Sequence, residues 1–300
     1  MASKKGVERK RGNRAGFWFF RMAATIFGLR GAYGLLYFVC LYYLIFDHAI
    51  VAACMAYVRR RFPDHGALRR MIDVYLVFVN QGKSLIDRYY VAAGGSDIDI
   101  KLVGYEKIKD HLAEGRTGII FLTAHVGNWQ VAITALRRLN RTVYLMMRPE
   151  DNAAVKEALN IDGEQETIRI LHTDGTLGGV IEALKAISQG SIVSIMGDRT
   201  YGYDSKEASL LGGTVRFPYG AFSLAAAAQC PVAVLLSAKV GVKEYATDIS
   251  HIIDPPAGKR GSKEPEIQAC VQEFAGILEA YADRYPYQWF VFRDMWQGNT

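Results

Sequence analysis

Half of the 300 residues are hydrophobic and the mean hydropathy is +0.04, enough material for one large α/β domain or two smaller ones, and greasy enough to suggest a protein that touches a membrane without being buried in it. The formal net charge of +6 favours acidic partners, whether nucleic acid, anionic lipid or an acidic carrier protein. Cys40, Cys54, Cys230 and Cys270 are widely scattered and form no C-x-x-C pair, which argues against a disulfide framework or a cysteine metal site and for a reducing compartment.

The chain opens on a basic tail, with Lys4, Lys5, Arg9, Lys10, Arg11, Arg14 and Arg21 set against Glu8 alone. The sixteen residues GAYGLLYFVCLYYLIF (31–46) then carry no charge, and Asp47 is the sole interruption before Arg59, Arg60 and Arg61. That run is shorter than the ~20 residues a straight bilayer-spanning helix needs. No small-residue cleavage pattern follows it, which argues against a removed signal peptide. Basic clusters on both flanks place both on the cytoplasmic face, so the segment is expected to dip into the membrane or lie along it. Tyr33, Tyr37, Tyr42 and Tyr43 suit interfacial anchoring, and polybasic charge suits anionic lipid. A buried core helix with a solvated basic tail is the competing reading. The expected divisions are a basic tail over 1–16, a membrane-associating helical segment over 17–62 and one domain over 63–300.

An amphipathic helical pattern runs from Arg59 to Ala93. A short strand over 97–101 and a helix over 107–114 follow. The chain then alternates: strand 118–123, helix 128–139, strand 142–147, helix 152–160, strand 168–172, helix 175–189 and strand 192–196. Helix 219–229, strand 232–238 and a long helix over 264–284 complete it. Such alternation predicts an α/β fold with a mainly parallel sheet flanked by helices, behind the apolar amino-terminal segment.

Several chemistries find no motif. The chain has no G-x-x-x-x-G-K-[ST], no G-x-G-x-x-G, no G-x-S-x-G and no H-E-x-x-H. The six histidines are dispersed without metal spacing, and the basic residues form no nucleic-acid fold signature, so neither a metal nor a nucleic-acid partner is expected. What remains is a set of polar islands at strand ends. His125 follows the apolar run 118–123, Arg148 closes 142–147, and Asp198 and Arg199 follow 192–196. In a parallel sheet these ends emerge on one edge, so the four are expected to converge.

Four blocks then carry a resemblance. HVGNWQ (125–130), MGDRTYG (196–202), VRFPYGAFSLAAAAQCPVAVL (215–235) and YPYQWFVFRDMW (285–296) resemble, in order and spacing, the bacterial lipid A biosynthesis acyltransferase family, part of the wider lysophospholipid acyltransferase group. The match spans roughly residues 15–297. The resemblance implies an enzyme on the cytoplasmic face of the bacterial inner membrane. Such an enzyme moves an acyl chain from an acyl carrier protein or coenzyme A thioester to a hydroxyl of a lipid A-like or other glycolipid or lysolipid acceptor. It implies membrane lipids and acyl carrier protein as partners, and no cofactor beyond the donor thioester. An amide-forming relative and a non-catalytic lipid-binding relative are the alternatives.

The family's first motif is a histidine, four residues, then Asp or Glu. His125 falls on the histidine and Gln130 on the acidic position. A neutral imidazole must take the proton of an acceptor hydroxyl as it attacks the thioester carbonyl. Gln130 can accept the imidazole N–H and orient the ring, but it cannot supply charge; Asp198 is the first candidate for the carboxylate. The resemblance further implies substrate contacts from Asn128, Trp129, Arg216, Phe217 and Gly220, while the strand-end Arg148 and Arg199 suit bidentate phosphate recognition, with surface ion pairing as the alternative. Trp289, Arg293 and Trp296 of the closing block are expected to pack on the core.

Overall fold

The computed structural model describes residues 14–92, 94–95, 97–114, 117–147, 168–172, 179–200, 204–255 and 264–296. Three helices come first: α1 (Arg14–Phe46), α2 (His48–Arg61) and α3 (Ala67–Ala92). Then follow β1 (Asp99–Val103), α4 (Tyr105–Glu114), β2 (Ile119–Thr123), α5 (Trp129–Ala135) with a 3-10 turn over Leu136–Leu139, β3 (Val143–Met147) and β4 (Ile168–His172). The carboxy-terminal part holds α6 (Val180–Ser188), β5 (Ile192–Met196), β6 (Ser205–Leu210), β7 (Gly213–Pro218), α7 (Gly220–Ala228), β8 (Val232–Lys239), β9 (Glu244–Ile253) and α8 (Glu264–Arg284).

Seven strands form one sheet in the order β1-β9-β8-β2-β5-β3-β4. The run β8-β2-β5-β3-β4 is parallel, while β9 is antiparallel to β8 and carries β1 parallel to itself. The expected mainly parallel α/β sheet is therefore present. Strand β2 sits at its centre and is buried along its whole length, as a strand covered on both faces must be. Its side chains alternate between two cores. Ile119 and Phe121 pack with Ile108 and Leu112 of α4 and Ala132 and Ile133 of α5. Ile120 and Leu122 face the other way, toward Ile187 of α6, Phe222 of α7, Phe274 of α8 and the helices α1 to α3.

Two features depart from the sequence reading. Strand β9 was not expected, because Thr247, Asp248, Ser250 and His251 dilute its apolar residues; only an alternating burial pattern betrays it. Strands β6 and β7 were not expected either. They form an antiparallel hairpin whose two-residue turn, Leu211–Gly212, has positive φ at both positions, as a type I′ turn requires. Leucine in that turn hides the signal that Asn-Gly would give. The proposed helix over 152–160 and the first residues of the one over 175–189 lie outside the described residues.

Helix α1 is kinked at Gly28. Beyond the kink, Leu29, Ala32, Tyr33, Leu36 and Cys40 are buried at three- and four-residue spacing, the stripe by which a helix docks. They share a core cluster with residues of the central sheet. Helix α3 runs antiparallel beside them, with the Tyr75 hydroxyl donating to the Tyr37 carbonyl at 3.1 Å. The opposite face of α1 shows Phe27, Phe38, Leu41, Tyr42, Ile45 and Phe46 to solvent. The span Thr25–Phe46, 22 residues, is long and apolar enough to cross a membrane, yet 28% of its 18-residue apolar window is buried in the protein. The apolar stretch thus exceeds the uncharged sixteen residues and also serves the core.

Candidate active site at the end of strands β2 and β5

Strands β2 and β5 pair in register, with Thr123 opposite Met196. Two residues beyond each strand end stand His125 and Asp198, so equal offsets from a shared register bring them together. The Asp198 Oδ1 atom lies 2.7 Å from His125 Nδ1, and its Oδ2 accepts the His125 backbone N–H at 2.9 Å. Asp198 is 2% exposed. Burial pushes its carboxyl up. The His125 charge, the hydrogen bonds from that residue's ring and backbone, and the Arg199 guanidinium together outweigh burial and hold the group well below the usual carboxylate range.

An ionised carboxylate can only accept, so Nδ1 must carry the proton, and the lone pair is left on Nε2. The His125 side chain keeps 24% of its surface open while that of Asp198 keeps 2%. The result is a fixed tautomer on a part-exposed ring, held by a buried anion that can stabilise an imidazolium.

The loop that presents His125 is clamped from the carboxy terminus. The Phe290 N–H donates to the His125 carbonyl at 2.9 Å, the Gly127 N–H donates to the Gln288 carbonyl at 2.7 Å, and Val126 bridges to Trp289. Gly127 has φ +48°, and a Cβ there would sit 1.6 Å from the Ser237 carbonyl oxygen, so only glycine fits. Gln288 in turn brackets the end of β8, its side-chain amide exchanging bonds of 2.7 and 2.9 Å with the Lys239 backbone.

The other expected site residues are placed differently. The Gln130 amide oxygen accepts from Arg88 Nη1 of α3 at 3.2 Å. This corrects the expectation that Gln130 orients His125: the ring is held by Asp198, while position 130 is the second residue of α5 and its side chain meets α3. Asn128 is 3% exposed and structural in its contacts, its Nδ2 donating to the Ser84 carbonyl at 2.9 Å and its Oδ1 accepting the Val131 N–H at 3.3 Å, as a helix N-cap does. Trp129 packs half-buried against the α4–α5 core. Arg199 lies beside Asp198 and donates to the Phe290 carbonyl at 3.3 Å.

Farther along, Arg216 is engaged within the β6–β7 hairpin by Ser205 and Glu207. Phe217, expected to bind substrate, is buried instead against Phe274 of α8, because alternate residues of β7 face the core. Gly220 opens α7. Arg148 lies outside the described residues. Sequence reasoning assigned Trp289 to core packing; its indole N–H also donates to Asp198 Oδ2 at 3.3 Å. Among the described residues, no group of three or more His, Cys, Asp or Glu is placed to hold a metal ion.

This geometry makes position 130 testable. Gln130→Ala and Gln130→Glu are each expected to leave the acidic limb of the pH–rate profile where it is, since Asp198 sets the ring's tautomer. Initial rates measured across pH for both variants check this, and a shifted limb in either would return position 130 to the site.

No curated protein matches the chain. The family described as bacterial lipid A biosynthesis acyltransferase matches residues 90–298, a span that contains the His125–Asp198 pair, the clamp and the hairpin. Matched over more than half of its length, the chain belongs to the bacterial lipid A biosynthesis acyltransferase family.

Proposed function

We propose that the protein transfers a fatty acyl chain from an acyl carrier protein or coenzyme A thioester to a hydroxyl of a lipid A-like or related glycolipid or lysolipid acceptor, with His125 as general base. The observation that carries this reading is the carboxylate–imidazole pair: a buried Asp198 on Nδ1 of a part-exposed ring. Nε2 takes the acceptor hydroxyl proton as the oxygen attacks the thioester carbonyl. The C–S bond then breaks, and the imidazolium returns the proton to the departing thiolate, so the products are an ester and a free thiol. Asp198 stabilises the imidazolium between the two transfers. Glutamine at the family's acidic position suggests a non-catalytic relative; a carboxylate two residues beyond β5 removes that motive.

The enzyme would work at the cytoplasmic face of the inner membrane. Three observations support this: the exposed apolar face of α1, the Arg59–Arg61 cluster at the end of α2, and the family's association with membranes. Phe27, Phe38 and Phe46 are 72, 74 and 65% exposed, and side chains of that size gain about 1.5–3 kcal/mol each on leaving water. Because the other face of α1 is spent on α3, the helix suits half-immersion at the interface better than isolation in lipid.

Membranes bearing the full chain, incubated with acyl carrier protein charged with a radiolabelled acyl group, should transfer label into a chloroform-soluble lipid through a base-labile ester. Failure of the wild-type protein to label any lipid from either thioester would overturn the reading. A base-resistant amide product would redirect it to an amine acceptor.

A further inference from the structure

We infer that Trp289 is a positioning residue of the dyad, its indole N–H fixing the Asp198 oxygen that does not face the imidazole ring. This rests on the reading of His125 as general base and extends it to a residue outside the strand-end loops. Three observations converge on the indole. It is fully buried, and Nε1 donates to Asp198 Oδ2 at 3.3 Å. Its own backbone bridges to Val126, one residue beyond the histidine, while Phe290 holds the His125 carbonyl. Its ring is set edge-on against Tyr57 of α2 at 5.4 Å, and the Tyr57 hydroxyl donates to the Pro286 carbonyl at 2.7 Å. Trp289 thus holds the carboxylate through its side chain, while the short segment around it holds the loop of the base through the backbone.

Both oxygens of Asp198 are engaged. Oδ1 takes the ring; Oδ2 takes the His125 backbone N–H and the indole N–H. The carboxylate cannot rotate without leaving a buried donor unpaired. The charged and titratable groups acting on Asp198 are His125 from the β2 loop and Arg199 from its own loop, whereas the carboxy-terminal segment meets it with a neutral donor. A neutral N–H tempers the carboxylate's basicity without adding a second cation. Removing it leaves a more basic carboxylate, which grips Nδ1–H harder and favours the imidazolium.

The test replaces Trp289 with benzothienylalanine, in which sulfur takes the place of the N–H at nearly constant shape; Trp289→Phe, which opens a cavity, is the cruder form. In the full-length, detergent-solubilised protein, kcat should fall about three- to tenfold with KM within about twofold. The acidic limb of the pH–rate profile should move to higher pH. The His125 titration, followed by ¹⁵N-histidine NMR and assigned with His125→Ala, should move the same way, and that readout needs no turnover. Tyr57→Phe is the control: it loosens the same segment without altering the donor and should leave the titration in place. An unmoved His125 titration in the benzothienyl protein overturns the inference, as does an equal shift in Tyr57→Phe, which would make packing the cause. Failure of the general-base reading shows separately, as acyl transfer that survives His125→Ala.

Discussion

Asp198→Asn and His125→Ala are each expected to lower acyl transfer by about 10²–10⁴-fold, the range a positioned general base supplies. For the histidine the reasoning is short: among the described residues no other imidazole bonds to Asp198, and the side chain is part-exposed, so the fold should survive. Asp198→Asn is the more revealing change, because it is nearly isosteric. The carboxylate faces three donors, namely the His125 ring and the His125 and Trp289 N–H groups. An amide has one oxygen to offer, and its NH₂ must oppose either the ring or the pair on the other side. Either choice strands a buried donor or forces the wrong tautomer on the ring. An Asp-to-Asn change at the corresponding partner of a serine-protease histidine costs on the order of 10⁴ in turnover, a known precedent for the magnitude.

The sign of the pH dependence follows from the lowered carboxyl of Asp198. A group whose folded value lies below its unfolded one contributes stability above the ordinary carboxylate value of ~3.9 and loses it only as pH falls through the lowered folded value. The dyad should therefore stay folded through mildly acidic conditions, so activity lost there is not lost to unfolding. Activity against pH, set beside thermal melts at the same pH values, separates the two. Coincident loss of activity and structure near pH 5 would contradict the assignment. So would an Asp198→Asn enzyme within about tenfold of wild type.

How much of this was legible in the sequence depends on how local the signal is. Strands β4 and β5 and helix α8 were bounded to the residue, because each is a continuous periodic run closed by turn residues. The pairing of His125 with Asp198 was also foreseeable: both sit just beyond apolar strands, and adjacent parallel strands deliver their carboxyl ends to one edge. Gln130 misled because a five-residue spacing on the chain was taken for proximity in space. Trp289 is 164 residues from His125 along the chain, and no periodicity ties an irregular segment after α8 to the loop it clamps. Strand β9 and the hairpin were missed for a different reason. Their polar residues are tolerated because cross-strand partners satisfy them, as where Thr247 meets Ser237 across β8 and β9 at 3.1 Å, and a pairing of that kind is invisible until the sheet is assembled.

Asp87→Ala is expected to be the most destabilising single change outside the dyad, at about 3–5 kcal/mol, the usual loss when one member of a buried ion pair is removed. Asp87 of α3 is fully buried and accepts from the Lys239 ammonium at 2.6 Å, from the Tyr33 hydroxyl of α1 and from the Tyr245 hydroxyl of β9. One carboxylate therefore joins the apolar helix, the helix beneath it and two strands of the sheet. The Lys239 side chain is 8% exposed; burial lowers its pKa and Asp87 opposes that. Without the carboxylate, a nearly dry ammonium is left with the Val242 carbonyl as its remaining acceptor among the bonds seen here. The loss reaches α1 directly, because Tyr33 is part of its buried stripe and donates to this carboxylate. For a chain of this size a change of that magnitude lowers the melting temperature by on the order of 10 °C. Thermal unfolding of the full chain in detergent measures it. The paired substitution Asp87→Leu with Lys239→Met should recover much of the loss, since swapping a buried pair for apolar residues is often neutral or better. A melting temperature for Asp87→Ala within about 2 °C of wild type would show that the cluster is hydrated and that α1 is held by its apolar stripe alone.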